Sequence, residues 1–507
     1  MKMNNIFKSV LAGAMAVGLL VSCDLNLTPT DAIVYEEGTP LFLNESDVLA
    51  FEVGVLANYR GLQYGSFTQS TEVMCDAFNA TIGFGNNYGS VHRSDYTFTP
   101  SDSYVESMWG SHYVAIKDYN IAIANCLLVD DEAAHKPAAD YLEGVARFCR
   151  ASSYLTLARH FGKDYDPATA ATDLCVPLVL AYDQAEKPFR ATVQEVYDQI
   201  LEDLEIAESL LADVAPGAVR SMTPTIDAVY ALMARYYLDV EDYESAADCA
   251  MNVIDSDAGY KLASKPEEMV QEYTNDAGTE PIIQCFATVA EGAKGNTLYA
   301  PVNTGNDVPK YFSSLFVPTK KLVNSYGSGD LRFDAWFTNS MYPIFSSGNY
   351  YQEPYVFIKY LDNPALHTGN VETGAHAAKP LMISEMYLIA AEAYAKSGAE
   401  ADAKTILNEL RTARKAGAIT GDIMDEIKIE WFRETVGEGH RMTCLKRWGE
   451  GVDVREPQNS ASELVMTGVA YTERKLEADS HVFVWPVPTY EIKINQNLEQ
   501  NPGYSAE

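Results

Sequence analysis

The chain has 507 residues, 47% of them hydrophobic, which is enough to bury the core of one large domain or of two to three ordinary ones. Its formal net charge is −34, from 71 acidic and 37 basic residues. So acidic a surface repels phosphate backbones, and we therefore do not expect nucleic acid as a partner.

The first 22 residues are predicted to be a signal peptide. Lys2 and Lys8 precede an apolar stretch, 10–21, that is shorter than the roughly 20 residues of a membrane-spanning helix. The window LVSC that ends at Cys23 resembles the bacterial lipobox. This resemblance implies cleavage before Cys23, acylation of that cysteine, and a membrane anchor followed by a polar tether over 23–45. The alternative is an ordinary secretory leader with a chance cysteine.

Helical periodicity dominates the rest of the chain. Apolar residues at i, i+3 and i+4 predict helices over 46–63, 105–128, 134–161, 192–211, 225–239, 243–255, 383–396, 400–415 and 422–436. Thr192 with Glu195 three residues later predicts a capping box. Gly162, Gly398 and Gly417 are placed where helices should end.

Two segments repeat each other and predict helix pairs of the tetratricopeptide type. Both carry aromatic, small, aromatic and small residues at equivalent positions: Tyr230, Ala234, Tyr237 and Ala246 in one, and Tyr387, Ala391, Tyr394 and Ala403 in the other. A weaker third copy includes Ala151 and Tyr154. We place the repeat units near 134–161, 223–256 and 383–415; the alternative is a generic amphipathic hairpin.

Two long stretches without helical period, 64–104 and 257–380, lie between these helices. They are rich in Tyr, Phe, Asn, Gly, Pro and Ser, and their aromatic content argues against disorder. The predicted fold is therefore mainly α: a tetratricopeptide-like scaffold decorated by long ordered loops and short strands, in a single domain over 46–507. The cysteines other than Cys23 form no CxxC, and Cys126, Cys149 and Cys249 are expected to be buried free thiols.

The C-terminal stretch HVFVWPVPTYEIKINQNLEQNPGY, residues 481–504, closely resembles the closing signature of the SusD/RagB lipoproteins of Bacteroidetes. A second stretch, GEGHRMTCLKRWGEG at 437–451, resembles another family segment, although Cys444 stands where the family often has Asp. The resemblance covers scattered blocks over most of 23–507. It implies a SusD-like fold in which the matched residues, including His440, Trp448 and Trp485, belong to the scaffold.

The same resemblance implies a function. Such proteins are lipid-anchored at the outer membrane, face the cell exterior, capture oligosaccharides or, in some members, peptides, and pass them to a SusC-like TonB-dependent transporter. Their ligand face is built from variable loops. The alternatives are a tetratricopeptide scaffold for protein–protein interaction and, less favoured, a surface glycosidase.

The residues themselves favour binding over catalysis. The sequence contains no GxSxG, HExxH, GxGxxG or P-loop pattern, so we expect no enzymatic activity, no cofactor and no metal. A sugar site needs flat aromatic rings beside amides and charged groups, and the two long loops supply that mixture. The predicted ligand-binding residues are Asp76, Asn79, Phe84, Asn87, Tyr88, Arg93, Tyr299, Asn303, Trp336, Tyr350 and Tyr351. Trp336 is the preferred stacking platform because it lies outside the family-like blocks.

Overall fold

The computed structural model describes residues 38–291, 298, 310–345, 348–349, 353–369 and 372–505. The chain divides into a short N-terminal unit, Met1–Leu41, and one compact unit, Phe42–Glu507. The fold below is that of the compact unit. Among the described residues, no helix is both long enough and apolar enough to cross a membrane.

Helices are the main regular secondary structure of the compact unit. Their bounds are α1 Glu45–Gly61, α2 Ser66–Met74, α3 Gly89–Arg93, α4 Ser103–Cys126, α5 Lys136–Phe161, α6 Val193–Leu211, α7 Ile226–Asp239, α8 Tyr243–Ile254, α9 Pro266–Thr274, α10 Lys320–Ser325, α11 Leu331–Trp336, α12 Ile383–Lys396, α13 Glu400–Arg414, α14 Ile423–Glu434, α15 Arg441–Arg447 and α16 Thr489–Ile494. Three 3₁₀ turns, Pro364–Leu366, Asn459–Ala461 and His481–Phe483, are also present in the described chain.

All nine helices predicted from periodicity are confirmed, with ends that differ by at most two residues from the predicted ones. The capping box at the start of α6 is confirmed too: Glu195 accepts the Thr192 amide while Thr192 accepts the Glu195 amide. Helix α13 ends at Arg414, one residue before the predicted end. Lys415 takes the left-handed conformation that terminates the helix, with φ of 55°, and Gly417 follows with φ of 82°.

Short helices inside the two long loops escaped prediction. Helix α2 is an instructive case, because six of its nine residues are buried: Gln69, Ser70, Thr71, Glu72, Val73 and Met74. A helix that is buried on nearly every side, and partly with polar residues, shows no amphipathic period. The loops therefore contain more helix than their sequence pattern indicates.

The predicted repeat segments form antiparallel helix pairs, α7 with α8 and α12 with α13. The small residues of the pattern, Ala234, Ala246, Ala391 and Ala403, are fully buried where the helices approach. Helix α5 packs on α6 in the same way, and a Cβ on Gly144 would lie only 2.9 Å from Leu211 Cδ2. The assignment of these pairs as tetratricopeptide repeats stays a prediction.

Short strands connect distant parts of the chain. They are β1 Phe78–Ala80, β2 Pro281–Ile283, β3 Lys310–Phe312, β4 Phe316–Pro318, β5 Phe337–Thr338, β6 Met341–Phe345, β7 Gly348–Asn349, β8 Val356–Phe357 and β9 Leu381–Met382. β1 pairs with β4, β2 with β9 and β5 with β8, all antiparallel, while β6 lies between parallel β3 and antiparallel β7. Behind them lies a small apolar core of Phe312, Val317, Met341, Val356, Ala461 and Val465.

The C-terminal signature packs into the helical scaffold. Trp485 is fully buried, with its ring 4.9 Å from that of His160 at the end of α5. The Asn501 side-chain amide donates to the carbonyls of Trp485 and Phe161, at 2.7 and 2.9 Å. These residues therefore have the scaffold role that the resemblance implied.

The cysteines of the compact unit are buried and free: Cys75, Cys126, Cys149, Cys175, Cys249, Cys285 and Cys444. This agrees with the buried thiols predicted for Cys126, Cys149 and Cys249.

Candidate functional site

The two loops in which sequence composition predicted a ligand site meet in the structure. In the β1–β4 pair, Asn79 lies opposite Val317 and Ala80 opposite Phe316. The Thr81 hydroxyl adds a 2.6 Å hydrogen bond to the Ser314 carbonyl. A third segment, 464–474, joins them, because Ile82 donates to Leu464 and Met466 donates to Ala80. We call the loop that leaves this junction, residues 83–97, the site loop.

The site loop has an unusual backbone. Asn86, Tyr88 and Ser94 have φ angles of 61°, 55° and 44°, a region that residues other than glycine seldom occupy. Such conformations persist only where the surrounding structure enforces them, and they cluster at functional sites. Three of them within nine residues single out this loop as a candidate.

Tyr88 anchors the loop to the scaffold. Its ring stacks on Tyr104 at 4.6 Å, and its hydroxyl donates to Gln69 Oε1 at 2.9 Å. Its backbone amide donates to the Tyr104 hydroxyl. Because Tyr88 is only 6% exposed, these contacts make it a support of the loop and leave little of its ring for a ligand.

Arg93 holds the loop together from its centre. Its guanidinium donates to Asn86 Oδ1 at 2.9 Å and to Thr97 Oγ1 at 3.1 Å, and it pairs with Asp95 at 3.3 Å. It also lies over the ring of Tyr471, 5.9 Å from the centroid. Arg93 therefore fixes the loop and links it to segment 464–474.

The outer surface of the loop presents one ring and two amides. Asp95 Oδ1 accepts the backbone amide and the hydroxyl of Thr97, and this Asx turn places Tyr96 at its tip. Tyr96 is 89% exposed, and Asn86 and Asn87 are exposed as well. A phenol ring and side-chain amides in one loop can offer a sugar both a flat apolar face and hydrogen bonds.

Asp76, at the base of this region, is a structural residue. It is fully buried and accepts two hydrogen bonds from Arg441 and one from Lys321, at 2.8, 2.9 and 2.7 Å. Burial acts to raise the pKa of the Asp76 carboxyl, but these two cations outweigh it and hold that pKa well below its usual range. Asp76 is therefore a buried anion that fixes the start of β1.

Two further predicted residues are buried. Asn79, in β1, is 1% exposed, and Phe84 is 5% exposed, with its ring 6.3 Å from Phe316 and 6.1 Å from Tyr471. Both support the loop from beneath. Of the predicted residues on the first loop, Asn87 and Arg93 reach the surface.

Trp336, the preferred stacking platform, is a core residue in the structure. It is 1% exposed at the end of α11. The Lys359 ammonium lies 4.1 Å from its ring centroid, and Tyr273 approaches edge-on at 5.8 Å. The expectation of an exposed platform is corrected here: the ring is enclosed by its neighbours and offers no open face.

The remaining predicted residues, Tyr299, Asn303, Tyr350, Tyr351 and Cys23, lie outside the described residues.

Sequence reasoning missed Tyr96 and Tyr471. Tyr96 belongs to the predicted loop 64–104. It follows Ser94 and Asp95 and precedes Thr97, and an Asp in such a turn exposes the residue that follows it, so this local sequence was the available signal. Tyr471 carried no signal, because only the fold brings it to Arg93 from 378 residues away.

A cavity of about 140 Å³ lies elsewhere, between α2, α5, α7 and segment 437–440. Its charged side chains are paired: Arg159 with Asp239, Arg235 with Glu385, and Lys379 with Asp276. In the ranges that the structure describes, no group of three or more His, Cys, Asp or Glu side chains could hold a metal ion. The site loop therefore remains the better candidate.

Comparison with known proteins gives a consistent result. Residues 44–238 match a family model described as "Starch-binding associating with outer membrane", and residues 235–504 match the model of the SusD family. A curated relative, SusD-like protein P2 of Formosa agariphila, is 25% identical over 438 residues, which cover 81% of this chain and 83% of that protein.

Solved structures agree on the fold. A putative sugar binding protein from Bacteroides vulgatus has a TM-score of 0.74 at 22% identity and covers 93% of this chain and 100% of that one. A SusD superfamily protein of the same organism has a TM-score of 0.72 at 24% identity, with coverage of 91% and 99%. A laminarin binding SusD-like protein has a TM-score of 0.68 at 21% identity, with coverage of 91% and 100%.

Proposed function

Because this chain belongs to the SusD/RagB family, we propose that it is a surface glycan-binding lipoprotein that captures oligosaccharides and delivers them to a SusC-like TonB-dependent transporter. The observation that carries the binding role is the site loop, which exposes the ring of Tyr96 and the amides of Asn86 and Asn87. The family model described as starch-binding supports the ligand class.

A sugar presents both apolar and polar surface to a protein. Its C–H face packs on an aromatic ring, and its hydroxyls both donate and accept hydrogen bonds. An exposed phenol and exposed amides on one loop match these needs without any desolvated charge. The expected affinity is therefore modest, roughly micromolar to millimolar, or about −4 to −8 kcal/mol, which suits a protein that must release its cargo.

Non-catalytic binding is part of the proposal. The sequence carries no catalytic motif. Asp95 in the site loop and Asp76 at its base are occupied in ion pairs with Arg93 and Arg441. A paired carboxylate is a poor general acid or base because its pKa is held low.

The anchor and the partner rest on the sequence. The lipobox-like window at Cys23 supports attachment to the outer membrane, and family membership supports the transporter. Pull-down from detergent-solubilised membranes is expected to recover a large β-barrel protein in near-equal amount. Recovery of this chain alone, under conditions that preserve related complexes, would overturn the delivery role.

A glycan array read together with product analysis tests the binding role. We expect retention of at least one oligosaccharide class without the appearance of new reducing ends. Reducing ends that accumulate with time would mean hydrolysis, and retention of peptides in place of glycans would change the cargo.

The Tyr96→Ala variant then tests the site. Loss of one stacking face should weaken binding about fivefold, or about 1 kcal/mol, with little change in stability because the ring is exposed. Phe189→Ala is the matched control: its ring is 71% exposed, and its segment is bonded to α16 through the Pro188 carbonyl and Asn495. If Tyr96→Ala and Phe189→Ala lose the same amount of glycan affinity, the binding site does not lie at Tyr96.

A further inference from the structure

Two arginines behind the site loop are buried and form no direct ion pair with a carboxylate of the described residues. Arg455 is fully buried and Arg474 is 7% exposed. Across the ranges that the structure describes, neither guanidinium pairs with a carboxylate, and both contact backbone carbonyls instead. This is unusual in a protein of net charge −34, where anions are abundant.

The fold forces the two side chains together. The two arginines lie on neighbouring antiparallel segments. Val452 and Leu476 form an isolated antiparallel β-bridge, and the Arg455 amide donates to the Thr472 carbonyl. Both guanidiniums donate to the same oxygen, that of Met74, at 2.6 Å from Arg455 and 3.4 Å from Arg474. Two like charges are thus neighbours at the C-terminal end of α2.

That helix end accounts for part of the arrangement. The carbonyls of Val73, Met74 and Cys75 carry the negative end of the helix dipole, about half a unit charge, and they accept from Arg455. The half charge of the helix dipole cannot neutralise the two positive charges of Arg455 and Arg474. Burial and the charge of Arg474 lower the pKa of Arg455 to about 9, and burial lowers that of Arg474 to about 10, so both side chains are cations at neutral pH.

Donors also remain unused. Arg455 Nη1 and Arg474 Nη2 are buried and have no hydrogen-bond partner among the described residues. A buried charged donor without a partner costs several kcal/mol, and such groups in native proteins usually contact a water or an ion. The nearest carboxylates that act on them, Asp76 and Asp95, are already paired with Arg441 and Arg93. A water molecule would satisfy a donor but would bring no negative charge to the two arginines.

We propose that Arg455 and Arg474 form a binding site for a small anion, a halide or an oxyanion such as sulfate or carboxylate. The site borders the proposed ligand face, because His92 Nδ1 and Arg455 Nη2 contact the same Val73 carbonyl, and the His92 ring is 6.2 Å from that of Tyr471, which contacts Arg93. The anion is either a free ion or a charged substituent of a bound glycan. The proposal does not depend on the glycan-binding role.

Thermal melting of the full mature chain tests the site. Chloride or sulfate is titrated against sodium gluconate, whose anion is large, at constant ionic strength. We expect a saturable rise in Tm of about 1–3 °C in the wild type. A Tm that does not depend on the anion, or that rises linearly without saturation as a general salt effect would, overturns the proposal.

Arg474→Gln separates an anion site from a mere helix cap. Because the substitution removes one of two repelling charges, its Tm in gluconate should equal or exceed that of the wild type, and the anion-dependent rise should vanish. If the Tm of Arg474→Gln is lower than that of the wild type by the same amount in every buffer, Arg474 only caps the end of α2, and the proposed anion site is overturned. Lys404→Gln, which removes a cation that is 48% exposed on α13, is the control and should keep the full rise.

Crystals grown in bromide give an independent readout. An anomalous peak at hydrogen-bonding distance from Arg455 Nη1 is expected, and its absence at saturating bromide would contradict the proposal. Competition experiments then identify the source of the anion. If free sulfate displaces a sulfated or carboxylated oligosaccharide, the anionic group of the glycan occupies the site. If a neutral oligosaccharide binds equally well with and without sulfate, the site holds a free ion.

Discussion

Arg441 and Asp76 form a bidentate ion pair, with Nε 2.8 Å from Oδ1 and Nη2 2.9 Å from Oδ2. The pair joins α15, in the family-like stretch 437–451, to Asp76, two residues before β1, and it spans 365 positions of sequence. The site loop begins three residues after β1. A scaffold motif thus fixes the base of the proposed ligand face, although the motif itself lies outside the proposed site.

Breaking this pair should destabilise the protein. Arg441→Met leaves the fully buried Asp76 with Lys321 as its remaining cation, and we expect the free energy of unfolding to fall by about 3–5 kcal/mol. Denaturant unfolding measures the change. Lys404→Met on α13 serves as the comparison and should cost less than about 0.5 kcal/mol. Equal stability of Arg441→Met and the wild type would show that the pair does not hold β1.

Glu72 should make stability depend on pH near neutrality. Burial raises the pKa of its carboxyl to about 7, although the amides of Gly437 and Gly439 oppose the shift. The folded state therefore binds the proton more tightly than the unfolded state. The contribution is fully present below about pH 4.5 and is lost as the pH rises to about 7.

Glu72→Gln should remove this loss. We expect the variant to exceed the wild type by about 1–3 kcal/mol at pH 8 and to match it at pH 4.5, in urea unfolding at each pH. Glu400→Gln, whose carboxylate is 65% exposed, should leave the pH profile unchanged. A Glu72→Gln profile parallel to that of the wild type would contradict the buried, protonated carboxyl.

Trp336→Ala should act on stability. Removing a fully buried indole leaves a cavity beside Lys359 and Tyr273, and about 3–5 kcal/mol of stability should be lost. Tyr96→Ala, which truncates an exposed ring, should show the opposite combination of retained stability and weakened glycan binding. Calorimetry of the two variants, with binding measured on the same samples, checks this contrast. If Trp336→Ala is stable but no longer binds glycan, the indole of Trp336 belongs to the ligand site after all.

Cys23 should carry the anchor. Mass spectrometry of the mature protein is expected to find an acylated N-terminal Cys23. Cys23→Ala should leave the precursor unprocessed or release soluble protein, since the acyl chains provide the membrane affinity. An unmodified cysteine, or cleavage at another position, would contradict the lipobox interpretation.

The sequence determined the helical scaffold by itself. Nine helices follow from i, i+4 apolar spacing and local caps such as Thr192 with Glu195, because helix formation is governed by interactions within a turn or two. The C-terminal stretch 481–504 identified the family for the same reason, since a motif is contiguous in the chain.

Only the tertiary structure decided which side chains of the loops are exposed. Trp336 and Tyr96 are both aromatic residues in loop-like sequence, yet one is 1% and the other 89% exposed. The contact of Arg93 with Tyr471 and the approach of Arg455 to Arg474 likewise depend on the fold. The burial of a side chain depends on contacts between residues far apart in sequence, so it cannot be predicted from a local pattern of residue types.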